Sequence, residues 1–341
     1  MTKDRKGSVN ARMVAKIAGV SQSAVSRTFT PGASVSPTTK AKIMRAAAKL
    51  GYRPNALARS LITNKSGIVG VVMSYLDNQF YPALLEKLVS RLRDHDYQVL
   101  LFTNFGNRDT DPVAEQVVQY QVDGLILAST TLSSELAEIC TRSQIPVVLI
   151  NRTTASDTVC SVVSNNERGG RLLAEYLIAG GHRRIGYIAG IHNSSTNRDR
   201  LAGLCSVLAS SGLPEPIVAY GEYSLDSAAR AARELLMLRE RPDAIFCAND
   251  HMAFAVMDVA RHEFGLRIPR DISIVGYDNA GPARWPSYDL TTVEQPVDGM
   301  ADATVELLLG QIRGDKKVCR HVVLDGDLVI GSSARRPSDR A

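Results

Sequence analysis

Apolar residues along this chain follow two rhythms, and the change between them falls near residue 67. Before it, short apolar stripes at helical spacing are cut by glycine and serine. In VAKIAGVSQSAVSRTF (Val14 to Phe29), Ala15 and Ile17–Ala18 supply small and apolar residues for close helix contact. Gly19 stands where a first helix must stop, because glycine accepts the left-handed conformation without steric cost. Ser21 follows as an N-cap for a second helix, its hydroxyl able to take a backbone N–H left unpaired in the first turn. Val20 and Val25 point inward, and Gln22, Ser23 and Arg27 fall on the opposite, polar side. In VSPTTKAKIMRAAAKLGYRPNALARSL (Val35 to Leu61), Ser36–Pro37 opens a third helix. Its stripe is Ile43, Ala46, Ala47 and Leu50; Gly51 closes it, and Pro54 blocks its continuation. Asn55 can cap a further short helix, Ala56 to Leu61.

From Ile68 the rhythm is a continuous apolar run, then an amphipathic stretch, then another run. IVGVVM (Ile68–Met73) reads as a buried strand and Tyr81 to Leu92 as an amphipathic helix. YQVLLFT, GLILAS and VVLIN, starting at Tyr97, Gly124 and Val147, are further strands. After Asn166 the order restarts with a helix and then RIGYIAG, AIFCAND and ISIVGYD. Strand–helix–strand alternation implies parallel sheets with right-handed crossovers. Two similar halves in tandem predict two doubly wound lobes, with a ligand cleft outside the carboxyl ends of their strands.

Charge sharpens this division. Residues 1–66 carry 13 Lys and Arg against Asp4 alone, whereas the rest of the chain carries 27 basic and 34 acidic residues. A small basic module with capped helices is the footprint of a polyanion binder. In a helix-turn-helix of this layout, the second helix presents hydrogen-bonding groups to base edges. No apolar run follows the charges of MTKDRKGS, and no segment approaches the ~20 apolar residues of a membrane span, so a cytoplasmic protein is expected. The cysteines (Cys140, Cys160, Cys205, Cys247, Cys319) are scattered, form no CxxC pair and mostly sit in apolar runs, so free thiols are expected rather than disulfides or metal ligands. No cofactor is expected.

The segments AGVSQSAVSR, LGYRPNALARSL and VGYDN resemble signatures of the LacI/GalR family of transcriptional regulators, and the resemblance runs through essentially the whole chain. It implies an all-α helix-turn-helix headpiece (1–54), a hinge helix and linker (55–66) and a two-lobed, periplasmic-binding-protein-like α/β core with parallel sheets (67–341). Lobe one would be 67–163 with 295–324, and lobe two 164–293, with chain crossings near Asn165, Thr291 and Asp325. The segment Gly331 to Pro337 resembles the family's terminal strand. A homodimer on a pseudo-palindromic, double-stranded DNA operator is implied, with a small-molecule effector bound between the lobes and no membrane contact. Carried over by position, Gln22, Ser23 and Arg27 would read bases in the major groove, and Asn10 and Arg12 would hold phosphate or a flanking base. Ala58 and Leu61 would enter the minor groove, Leu61 as a wedge between base pairs.

For the effector, the resemblance points to Asp77, Asn78, Phe80 and Tyr81 after the first strand, and Asn151 and Arg152 after VVLIN. It also points to Thr196 and Arg200 in STNRDRLAG, Tyr223 in GEYS, Asp250 in CAND and Asp278 in VGYDN. Aromatic faces flanked by carboxylates and amides suit a polyhydroxylated ring, since each hydroxyl both donates and accepts. A purine uses stacking and amide pairing and remains an alternative. Tyr223 could equally be core, and Asp278 could brace the hinge. Asn165, Asn166 and Arg168, where many members carry an acid, leave room for an acidic sugar or a sugar phosphate.

Other classes fit less well. A periplasmic-type solute-binding protein shares the core but needs a signal peptide and no basic headpiece. The chain has no GxSxG, HExxH or GxxxxGK[ST] motif, and no GxGxxG opens a helix after the first strand, so no enzyme is expected.

Overall fold

The computed structural model of the 341-residue chain describes residues 9–29, 33–52, 65–103, 112–128, 134–154, 159–315 and 320–337. The chain forms two compact units, Met1–Gly67 and Ile68–Ala341.

The first unit contains helices α1 (Ala11–Ala18), α2 (Gln22–Thr28) and α3 (Pro37–Leu50). Their ends are where the local chemistry puts them. Asn10, Ser21 and Ser36 each accept a backbone N–H three residues on, and Gly19 and Gly51 end α1 and α3 at φ 65° and 66°. Val14, Val25 and Ile43 are fully buried at the centre, with Ala15, Ala46 and Ala47 letting the helices approach closely. The hinge helix expected over Ala56–Leu61, with Ala58 and Leu61, lies outside the described residues.

The second unit holds two parallel sheets. β1 (Ile68–Met73), α4 (Phe80–Asp94), β2 (Gln98–Thr103), α5 (Pro112–Gln119), β3 (Gly124–Ala128), α6 (Ser134–Arg142), β4 (Val147–Ile150) and β5 (Cys160–Ser164) begin lobe one. α7 (Asn166–Ala179), β6 (Ile185–Ala189), α8 (Ser195–Ser210), β7 (Ile217–Tyr220), α9 (Leu225–Leu236), β8 (Ala244–Cys247), α10 (Asp250–Asp258), β9 (Ser273–Asp278) and β10 (Thr291–Glu294) make lobe two. α11 (Val297–Ile312) and β11 (His321–Leu324) return to lobe one, and β12 (Leu328–Val329) to lobe two. The sheet orders are β11-β5-β4-β3-β1-β2 and β12-β10-β9-β8-β6-β7; among the described residues only β12 runs antiparallel to its neighbour. Buried runs such as Leu125–Ala128 and Ile185–Ala189 are covered on both faces, as parallel strands require.

The chain therefore crosses between the lobes three times, after β5, β10 and β11. The second crossing falls at Gln295–Pro296 rather than near Thr291, because Thr291–Glu294 pairs with Val275–Asp278 of β9. The crossings are bonded to one another. Asn165 N–H donates to Leu324 O at 2.7 Å, Glu294 N–H to Asp327 O at 2.8 Å, and Arg168 Nη1 to Gly326 O at 2.7 Å. The segment resembling a terminal strand forms no strand; Ser333 instead joins β9 and β10, through Ile274 N–H to its carbonyl (2.9 Å) and Thr291 N–H to its hydroxyl (2.8 Å).

Cys205 and Cys247 carry free thiols, but Cys160 is disulfide-bonded, against the expectation of free thiols throughout. Spacing along a chain does not say which sulfurs the fold brings together.

Candidate DNA-reading helix and interlobe cleft

On α2 the backbone is fixed from within. Ser21 Oγ accepts Ala24 N–H at 3.2 Å, and Val25 anchors the inner face at 0 % exposure. Gln22, Ser23 and Arg27 are all exposed on the outer face, Ser23 and Arg27 one turn apart, with Arg27 Nε donating to Ser23 O at 3.4 Å. Gln offers the donor and acceptor pair that matches adenine, and Arg the fork that matches guanine. Arg12 is exposed on α1. Asn10 is exposed too, but its side-chain oxygen is already used as the α1 cap, accepting Met13 N–H at 3.1 Å.

In the core, strand ends from both lobes converge on one small cavity. It is lined by Tyr75, Asn78, Tyr81, Asn151 and Arg152 from lobe one, and by Thr196, Arg200, Tyr223, Asn249 and Asp278 from lobe two. Its volume is about 10 Å³, room for roughly one water. The lobes touch directly here. Arg152 Nη1 donates to Thr196 Oγ1 at 2.7 Å, and Thr153 N–H donates to Ser195 Oγ at 3.1 Å. A roomier hollow of about 520 Å³ beside β7 is lined by lobe two alone, so filling it would not register lobe closure.

Arg200 is set by helix packing. A Cβ at Gly170 of α7 would lie 2.3 Å from Arg200 O, and one at Gly203 of α8 would lie 2.2 Å from Glu167 O, so only glycine lets these helices approach this closely. At 2 % exposure Arg200 donates to Asn166 Oδ1 (2.8 Å) and to Ala248 O, and Nη2 lies 3.6 Å from Asp278 Oδ1. Burial works against its charge, but Asp278 and the surrounding tyrosines more than offset this and hold the guanidinium above its ordinary pKa. Asp278 in turn is pushed up to about 6 by burial, against the pull of Arg200 and of donors from Gln295 and Asn78.

Tyr223 occupies the cavity wall at φ 58°, its hydroxyl within 2.9 Å of Thr196 Oγ1 and 3.2 Å of Ser194 Oγ. Its ring rests on Gly190, where a Cβ would fall 2.0 Å from Cζ. Asn151, also left-handed at φ 60°, donates to Tyr81 Oη at 3.2 Å. The structure thus brings Asn78, Tyr81, Asn151, Arg152, Thr196, Arg200, Tyr223 and Asp278 together.

Three expected residues stand elsewhere. Phe80 is core at 2 % exposure, edge-on to Tyr81. Asp250 is fully buried behind the cavity, where its carboxyl accepts Ala280 N–H (2.8 Å) and the Thr292 hydroxyl (2.7 Å). Asp77 is exposed and reaches across the lobes to within 3.3 Å of His251 Nε2. Asn165 and Arg168 belong to the crossings, where Asn165 donates to Asp325 Oδ1 at 2.8 Å, and they do not line the cavity. Tyr75 and Asn249 line it without having been anticipated. Asn249 was accessible as the N-cap just before Asp250; nothing marks Tyr75 beyond its place after β1. Among the described residues no three His, Cys, Asp or Glu side chains are grouped to hold a metal ion, and no helix is long and apolar enough to cross a membrane.

Residues 12–55 match the family described as bacterial regulatory proteins, lacI family, and residues 174–334 match a periplasmic binding protein-like domain. The chain is 30 % identical over 328 residues to the HTH-type transcriptional repressor PurR of Vibrio campbellii, covering 95 % of this chain and 98 % of the relative. It is 31 % identical over 339 residues to the HTH-type transcriptional regulator CelR of Thermobifida fusca, covering 97 % and 99 %. Among solved structures it is similar to the lac repressor dimer bound to operator and the anti-inducer ONPF (TM-score 0.85, 28 % identity, 95 % and 98 % covered). It is also similar to a CelR–cellobiose complex (TM-score 0.74, 30 % identity, 96 % and 100 % covered). With its headpiece, two-lobed core and full-length relatives all in agreement, this chain belongs to the lacI family of bacterial regulatory proteins.

Proposed function

We propose that this regulator is a cytoplasmic repressor without catalytic activity, which binds a pseudo-palindromic operator as a homodimer and takes a sugar or sugar derivative in the interlobe cleft. Gln22, Ser23 and Arg27 would read base edges, Arg12 would hold phosphate, and Ala58 and Leu61 would enter the minor groove. The observation that carries the effector assignment is the Arg152–Thr196 bond across the cleft (2.7 Å). Because the lining is shared between lobes, filling the cavity and opening or closing it are one equilibrium. A ligand that prefers one lobe arrangement shifts the population towards it. The density of hydroxyl, amide and guanidinium groups around Tyr75 and Tyr223 favours a hydroxylated ring, and the cellobiose bound in the similar CelR structure points the same way. A purine is the second reading, favoured by the PurR relatives. Selection of operator sequences from random duplexes by the full chain, followed by titration of sugars and purines against the selected duplex, tests the proposal. It expects a two-fold-symmetric consensus and an effector that changes operator affinity; sequence-independent binding unaffected by either ligand class would refute it.

A further inference from the structure

Arg152 is a buried cation with no carboxylate in contact; the one that acts on it, Asp278, is shared with Arg200. It is 5 % exposed, and its recorded bonds are from Nη1 alone, to Asn151 O at 2.9 Å and Thr196 Oγ1 at 2.7 Å, with the Tyr223 ring 5.7 Å away. No carboxylate among the described residues lies within 4.0 Å of it. Arg200, across the cavity, already has Asp278 at 3.6 Å, so the cavity lining holds two guanidiniums and one carboxylate. Asp250, behind the wall, is pushed up to about 7 by burial and by Asp278, and supplies only part of a second negative charge near neutrality. Two buried polar atoms on the lining have no hydrogen-bond partner, Arg200 Nη2 and Asn151 Oδ1. A buried charge persists when something compensates it, and a guanidinium fork is best met by a planar or tetrahedral oxyanion that takes two N–H bonds at once.

Resting on the proposal that the cleft holds the effector, we infer that this effector is anionic, a hydroxylated molecule whose carboxylate or phosphate docks on Arg152. The hydroxylated body then lies towards Asn78, Asn249 and Asn151, and Arg200 Nη2 serves the same ligand from the other lobe. A neutral sugar would leave Arg152 sharing Asp278 with Arg200 in the closed cleft.

The test compares the full chain with Arg152→Gln and Arg200→Lys, by thermal unfolding and titration calorimetry against matched sets: glucose, gluconate and glucose 6-phosphate, and galactose, galactonate and galactose 1-phosphate. Arg152→Gln is expected to unfold about 2 °C or more higher than the native chain without ligand, since it removes a buried charge that has no carboxylate of its own. Charged members should bind at least tenfold more tightly than their neutral parents, and Arg152→Gln should abolish that preference. Preference for gluconate or for a phosphate ester says which oxyanion is taken. A neutral sugar that binds best, is lost in Arg200→Lys and is indifferent to Arg152→Gln would keep the cleft and overturn the anion. Binding that survives both substitutions would place the ligand elsewhere and overturn the cleft assignment too. No binding from any set, with Arg152→Gln no more stable than the native chain, would also overturn the inference.

Discussion

Arg200 lies across the face of Tyr277, its guanidinium carbon 3.6 Å from the ring centroid. The arginine comes from α8 and the tyrosine from β9, so the contact joins the helix that points into the cleft to the strand that ends in Asp278. A desolvated cation over an aromatic face contributes about 2 kcal/mol. Tyr277→Leu should therefore destabilise the protein by roughly 2–4 kcal/mol, the lost cation–π contact adding to a large-to-small core change. Tyr277→Phe keeps the ring and loses only long hydroxyl contacts, to Ser164 Oγ (3.3 Å) and Asn165 O (3.5 Å). It should cost about 1 kcal/mol or less. Urea unfolding of the two variants separates the cases; equal losses would mean that the ring face does not stabilise Arg200.

The Tyr223 ring can be displaced without touching Tyr223. Gly190→Ala puts a methyl 2.0 Å from ring atom Cζ, so the ring must leave the cavity wall. Effector affinity should fall at least tenfold, about 1.4 kcal/mol, in a protein that still unfolds cooperatively. Calorimetric titration checks this, and unchanged affinity would remove Tyr223 from the site.

The buried carboxyls predict an unusual pH profile. Burial raises Asp278 to about 6, and burial with repulsion from Asp278 raises Asp250 to about 7, so between the unfolded value near ~4 and these values the folded protein binds more protons than the unfolded chain. Their contribution to stability is thus present at low pH and lost as pH rises from about 4 through 7. In Asp250→Asn the decline across that window should be shallower than in the native chain. Unfolding free energies measured at intervals from pH 4.5 to 7.5 give the comparison, and parallel curves would show that Asp250 is ionised throughout.

On the headpiece, cap and reading residues should separate by assay. Ser21→Ala removes the α2 cap and should lower headpiece stability by about 1 kcal/mol without changing which bases are preferred. Gln22→Ala and Arg27→Ala should leave stability nearly unchanged and relax discrimination by roughly 1–3 kcal/mol at one base pair each. Competition between the selected operator and its single-base variants distinguishes them; retention of full discrimination by both variants would mean that α2 does not read the bases.

Local chemistry was legible, and pairing was not. Ser21, Ser36, Gly19 and Gly51 act within three or four residues of themselves, so their positions alone locate ends of α1, α2 and α3, whereas Asn10, expected on phosphate or a flanking base, spends its side-chain oxygen on capping α1. β1 and β3 stand out because strands covered on both faces must be apolar throughout. β10, with the sequence TTVE, and the two-residue β12 carry no such run; they are strands only because β9 and each other lie alongside. The second crossing, expected near Thr291, therefore falls a few residues later, at Gln295–Pro296. The same limit applies to the cleft. The family resemblance pointed to Arg152, Arg200 and Asp278, but whether a carboxylate turns to the cavity or away is decided by its partners. Asp250 turns away because Thr292 and Ala280 N–H are within reach behind it. No pattern in the chain records that Arg152 lacks an acid of its own, since this depends on everything around it.

The measurement that bears most directly on the account is the affinity of the full chain for its selected operator, by fluorescence anisotropy, with and without the tightest-binding member of the sugar, sugar-acid and sugar-phosphate sets. The account predicts at least a tenfold change in operator Kd, about 1.4 kcal/mol of coupling, which disappears in Arg200→Lys. An operator Kd indifferent to a ligand that demonstrably binds the cleft would contradict it.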